Sequence, residues 1–141
     1  MPSAPVEPAR PILIWDGDCG FCELSVRVIE RAAGDRIRTI AYQRTRLSDY
    51  GLTEADCREA AQWIDAAGRA SGAEAIAHAL LLARLPWRAV GALLLTPPVR
   101  PVARVTYRAI ARSRTRISRF VGARACRVEN PSETNGNELP R

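Results

Sequence analysis

The sequence predicts an α/β fold built on a β-α-β unit, and three observations predict it. A wholly apolar run, Ile12-Leu13-Ile14-Trp15, lies between Pro11 and Asp16-Gly17-Asp18. The apolar period then lengthens to a helical one over residues 19–33, and a partly alternating stretch follows over residues 36–42. Four apolar residues in a row between turn formers read as a strand covered on both faces. The 141 residues suffice for one domain and not for two, and 47% hydrophobic with 26% charged residues excludes a disordered, collagenous or multi-span membrane chain.

Each element has a local reason. In residues 19–33, Phe21, Leu24, Val28, Ile29 and Ala32 recur on one stripe, Glu23 and Arg27 stand at i,i+4, and Gly34 follows as a C-cap. The strand over residues 36–42 should run parallel to the first because a helix joins them. Thr53 caps a short helix over residues 54–58. A third strand, residues 60–64, surrounds Trp63, and a turn over 65–68 leads to a fourth at 69–71. Residues 73–85 are helical, Pro86 opens the first turn of a helix over 87–95, and Thr96-Pro97-Pro98 breaks the chain. A long helix, residues 99–121, follows, its apolar face read as Val102, Val105, Ala109, Ile110, Ile117 and Phe120. Strand, helix, strand, helix, hairpin, helix is the order of a thioredoxin-like core (β-α-β-α-β-β-α), here with additional C-terminal helices. Residues 1–10 are expected to be a flexible tail, 11–127 the domain and 128–141 a disordered tail.

Cys19 and Cys22 form a C-x-x-C where the first strand hands over to the first helix. At a helix N-terminus a cysteine meets unpaired backbone N–H groups and the positive end of the helix dipole, which favour thiolate. Cys19 is therefore the expected nucleophile. Cys22, on the same face of the first turn, is the expected resolving thiol. Asp18 is placed as N-cap, Gly17 as the source of a backbone angle other residues resist, and Asp16 as either a cap of the turn or a carboxylate that exchanges a proton with the thiol during resolution. Cys57, in the core of its short helix, and Cys126 are read as bystanders, and His78 as a partly buried structural histidine.

All 21 basic residues are arginine, so no lysine serves a Schiff base or a Walker-type phosphate site. A structural zinc site needs four ligands, and Cys57, Cys126 and His78 are not paired at ligand spacing, so no metal and no bound cofactor is expected. An apolar strand followed by Asp16-x-Asp18 also resembles the start of haloacid-dehalogenase-type phosphotransferases, against which the missing lysine and the short chain count. The N-terminus has no apolar segment of the signal-peptide kind. The longest apolar stretch, residues 76–95, is interrupted by His78, Arg84, Pro86 and Arg88, so no transmembrane segment and a reducing cytoplasmic setting are expected.

In the context Ile14-Trp15-Asp16-Gly17-Asp18-Cys19-Gly20-Phe21-Cys22, the chain resembles the DCC family of predicted thiol–disulfide oxidoreductases, named for its D-x-x-C-x-x-C pattern. The likeness continues through Trp63-Ile64-Asp65 with Gly68, the run from Ser71 to Ile76, Tyr107-x-x-Ile110-Ala111 with Arg114, Gly122 and Cys126-Arg127. The resemblance implies a thioredoxin-like fold and a dithiol–disulfide activity with Cys19, Cys22 and Asp16 at the matching positions. Ordinary thioredoxins differ in two respects: they carry a cis-proline just before the third strand, whereas no proline occurs here between Pro11 and Pro86, and Gly20-Phe21 replaces their Gly-Pro. The expected activity is thiol–disulfide exchange of the protein-disulfide reductase type, on a disulfide-containing protein or a small thiol substrate, with electrons from a separate donor.

Charge is segregated. Nine arginines and no acid lie between Arg100 and Arg127, and Arg100, Arg104, Arg108, Arg112 and Arg116 recur every four residues. This side is read as a solvated face partly paired with acidic residues elsewhere. The alternative function is a redox-sensing binding module that presents the helix to an anionic partner, nucleic acid or an anionic membrane among them.

Overall fold

The computed structural model describes the backbone of residues 8–121 and, within them, all side chains except those at 114, 115 and 117–121. The elements are β1 (Ile12–Trp15), α1 (Gly20–Ala33), β2 (Arg38–Ala41), α2 (Glu54–Glu59), β3 (Gln62–Asp65), β4 (Gly68–Ser71), α3 (Ala73–Leu81), α4 (Trp87–Leu94) and α5 (Arg100–Val121). The sheet order is β2-β1-β3-β4. β1 runs parallel to β2, with Leu13 opposite Thr39, and antiparallel to β3, with Leu13 opposite Trp63. This is a thioredoxin-like core with α4 and α5 added. The tails expected at 1–10 and 128–141 fall largely or wholly outside the described residues, as does Cys126.

β1 carries apolar residues on both faces because both faces are covered. Leu13 and Trp63 join Val26 and Ile29 of α1 and Ala75, Ala79 and Leu80 of α3 in one core. On the other side, Ile12, Ile14 and Ile64 pack with Tyr42, Leu52 and Cys57. Alternation along a strand divides these residues between the two layers.

Several boundaries differ from the sequence reading, each for a local reason. α3 ends at Leu81 rather than 85, and Ala83 N–H turns back to the Leu80 carbonyl at 3.0 Å. β3 starts at Gln62, two residues late, because Ala60 N–H is still held by the Asp56 carbonyl at the end of α2. Thr53 caps α2 as expected: its hydroxyl accepts the Asp56 N–H at 3.2 Å, and its own N–H donates to the Asp56 carboxylate at 2.9 Å. The same hydroxyl donates to the Asp56 carboxylate at 2.7 Å, and this bond first, then that of the Thr53 N–H, holds the Asp56 carboxyl below its ordinary range. Gly34, at φ +58°, ends α1 as a residue with a Cβ would not readily do.

The inward face of α5 differs from the one the apolar pattern predicts. Val102 and Val105 are 63% and 68% exposed and Ala109 is exposed; Ala103, Tyr107, Ile110 and Ala111 are turned toward the domain instead. Tyr107 decides the rotation, since its hydroxyl accepts the Ala61 N–H at 3.0 Å and its ring lies beside Gly72. Of the expected face only Ile110 is half-buried, and the side chains of Ile117 and Phe120 lie outside the described set.

Candidate functional site

The site grows out of the end of β1. Past Trp15 the chain turns through Asp16-Gly17-Asp18 into α1, and Cys19 N–H closes the turn on the Asp16 carbonyl at 3.2 Å. Cys19 itself is the N-cap, with extended backbone, and its Sγ accepts the Cys22 N–H at 3.3 Å. That displaces Asp18 from the capping role expected of it. Asp18 instead donates its N–H to the Asp16 carboxylate at 3.0 Å. A backbone N–H aimed at sulfur favours the anionic form of that sulfur.

Gln43, which the sequence reading did not single out, holds this turn from just past the end of the neighbouring strand β2. Its amide oxygen accepts the Gly17 N–H at 3.0 Å, and its nitrogen donates to Asp16 at 3.1 Å and Asp18 at 3.3 Å. Gly17 is not among the glycines with positive φ, so it supplies an N–H for this clamp rather than an unusual backbone angle.

Cys19 is buried at 7% exposure, Asp16 is nearly as enclosed, and Cys22 is half-buried. Asp16 and Cys22 border one cavity of about 190 Å³, together with Cys57 and with Phe21, Ile76, Tyr107 and Ile110. The structure thus brings a carboxylate, the second thiol of the motif and a third thiol to one largely apolar space. Burial, then the Asp56 and Asp16 carboxylates, push the Cys57 thiol up to about 11, so it stays protonated at neutral pH. His78 stacks on Trp63, with centroids 6.1 Å apart, in the structural place expected of it.

The segment before β3 is closed to a docking strand at one residue. Ala61 gives its N–H to Tyr107, and its carbonyl accepts the Gly72 N–H at 2.9 Å. A larger cleft of about 600 Å³ lies elsewhere, where Arg69, Arg104 and Arg108 meet Asp56, Glu59 and Glu74; none of the described cysteines lines it. Among the described residues no three His, Cys, Asp or Glu side chains cluster so as to hold a metal ion.

Comparison with curated proteins and with solved structures finds no match. A family model does match, over residues 13–120, a span that takes in the turn, both cysteines of the motif, the whole sheet beyond Ile12 and nearly all of α5. With that match covering most of the chain, and the paired cysteines standing at the head of α1 in a thioredoxin-like core, the chain belongs to the DCC1-like thiol-disulfide oxidoreductase family.

Proposed function

We propose that the protein reduces disulfides by cycling Cys19 and Cys22 between dithiol and disulfide. The observation that carries this reading is the Cys22 N–H directed at Cys19 Sγ, with Cys22 and Asp16 on one cavity. The Cys19 thiolate attacks one sulfur of a substrate disulfide, forms a mixed disulfide and releases the other sulfur as thiolate. Cys22 then attacks Cys19 Sγ; its proton passes to Asp16, the Cys19–Cys22 disulfide forms, and the second substrate sulfur leaves as a thiolate that takes that proton back from Asp16 and departs as a thiol. The substrate gains two electrons and the pair loses them, so a thiol or dithiol donor must reduce the pair again. A reducing compartment such as the cytoplasm supplies such donors. The substrate is a protein or small-molecule disulfide, and no bound cofactor takes part.

Disulfide reduction by the wild type, Cys19→Ser, Cys22→Ser and Asp16→Asn tests the reading. Both cysteine variants should lose turnover, and Asp16→Asn should slow it by about a hundredfold. Cys22→Ser should accumulate a mixed disulfide at Cys19, seen as a mass adduct. Equal activity in all four proteins would refute the proposal, and an adduct formed through Cys22 in Cys19→Ser alone would reverse the two roles.

A further inference from the structure

The added helices turn apolar side chains to solvent. Leu85, just before α4, is 76% exposed, and on α4 Leu93 is 56% and Val90 40% exposed. On α5, Val102, Val105 and Ala109 stand three and four residues apart on one outward stripe, opposite the face that Tyr107 anchors. Along this stretch of the sequence the charge has one sign: from residue 75 to 127 it holds eleven arginines and no aspartate or glutamate, which leaves the rest of the chain at −5 of the net +6. Glu74 engages Arg100 and Arg104. Among the described residues, Arg84, Arg88, Arg108, Arg112 and Arg116 are exposed and form no ion pair.

These features select one kind of partner. Exposed leucine and valine favour a surface that removes them from water. A second copy of the chain would cover them but would set one arginine-rich segment against another. Nucleic acid would answer the charge, yet it gives Leu93, Val102 and Val105 no apolar contact, and Trp87 is the one aromatic residue that α4 contributes for base stacking. The boundary between anionic head groups and acyl chains answers both, with head-group oxygens for the guanidinium groups and a shallow apolar layer for Leu, Val and Trp. No helix among the described residues is long and apolar enough to cross a bilayer, so such binding would be peripheral. We propose that α4 and α5 dock the protein on the surface of an anionic membrane. This proposal is independent of the redox reading.

Co-sedimentation of the full chain with phosphatidylcholine vesicles, with and without phosphatidylserine, tests it. Binding should require the anionic lipid, weaken about fivefold for each of Arg108→Gln and Arg112→Gln, and weaken about tenfold for Val105→Ser, which removes apolar contact and leaves the charge intact. Trp emission should shift to the blue on binding, and Trp87→Phe should abolish the shift, because Trp15 and Trp63 remain in the domain. Circular dichroism checks that each surface variant is folded. The proposal is overturned by no binding at low salt, by equal binding to neutral vesicles, or by binding that Val105→Ser leaves unchanged. It is equally overturned by a dimer that Val105→Ser disperses, or by tighter binding to duplex DNA than to anionic vesicles.

Discussion

Cys57 and Cys22 border the same cavity, and burial separates their chemistry. Cys57 is 1% exposed, and its thiol is held at about 11 against an ordinary 9.0. A thiol that stays protonated near neutrality is a poor nucleophile, so Cys57→Ala should retain the proposed disulfide-reductase activity while losing about 1–2 kcal/mol of stability to the cavity it leaves. The sign of the pH effect follows from linkage. Below pH 9 folded and unfolded chains both keep this proton; between pH 9 and 11 the unfolded chain gives it up first, so wild-type stability falls by about 2–3 kcal/mol over that window. Urea unfolding of wild type and Cys57→Ala at either end of the window measures it, and a gap between the two proteins that does not narrow with pH would contradict the assignment. Asp16, Cys19 and Cys22 were legible in the sequence because they are neighbours along the chain. Gln43 and the cavity position of Cys57 were not, since the fold brings them to Asp16 from 27 and 41 residues away and neither belongs to a local motif.

At the scale of elements, two contacts decide how the added helices sit. Gly91 is buried where α4 crosses α3: a Cβ there would lie 2.7 Å from the Ala77 carbonyl oxygen and 2.9 Å from the Leu81 nitrogen. Ala is the better helix former by about 1 kcal/mol, but backbone atoms cannot step aside as a side chain can. Gly91→Ala should therefore lower stability by about 1–3 kcal/mol, and a rise in melting temperature would show that the helices are not this close. The second contact is Glu74, on α3, whose carboxyl is held below its ordinary range first by its hydrogen bond to Arg100 and then by Arg104. Partial exposure of both arginines limits each pair to about 0.2–1 kcal/mol. That contribution is present above the ordinary carboxylate range and is lost as pH falls through the depressed pKa. The existence and type of every strand and α-helix were legible, because strand and helix periods differ along the chain. The face of α5 was not. Periodicity finds an apolar stripe and assigns it to the interior, whereas a tyrosine with a backbone partner and a ring contact at Gly72 outweighs the two valines.

The molecule as a whole divides into a core closed on both sides of β1 and a helical extension whose α4 packs closely on α3 and whose α5 is held more sparsely. Ile12, Leu13 and Ile14 are at most 1% exposed, and their strand is hydrogen-bonded on both edges, so β1 amides should open only when the whole domain unfolds. α5 is held by Tyr107, by half-buried Ala103, Ile110 and Ala111, and by the Glu74 pairs, while its arginines at every fourth position repel one another along the helix. Its amides should therefore exchange through a separate opening, about 2 kcal/mol or more below the global free energy of unfolding. That opening has a functional reading, since Tyr107, Ile110 and Ala111 wall the cavity that Cys22 and Asp16 share. A helix that lifts away more cheaply than the core unfolds would open the space beside the second thiol, where the mixed disulfide is resolved, without unfolding β1. Native-state hydrogen exchange tests this directly: Glu74→Gln should speed exchange in α5 several-fold, leave β1 unchanged up to its small effect on global stability, and leave the first-turn bond between Cys22 N–H and Cys19 in place. Uniform protection across β1 and α5, or an equal rise in both on Glu74→Gln, would mean that core and extension unfold as one unit and that the cavity opens by another route.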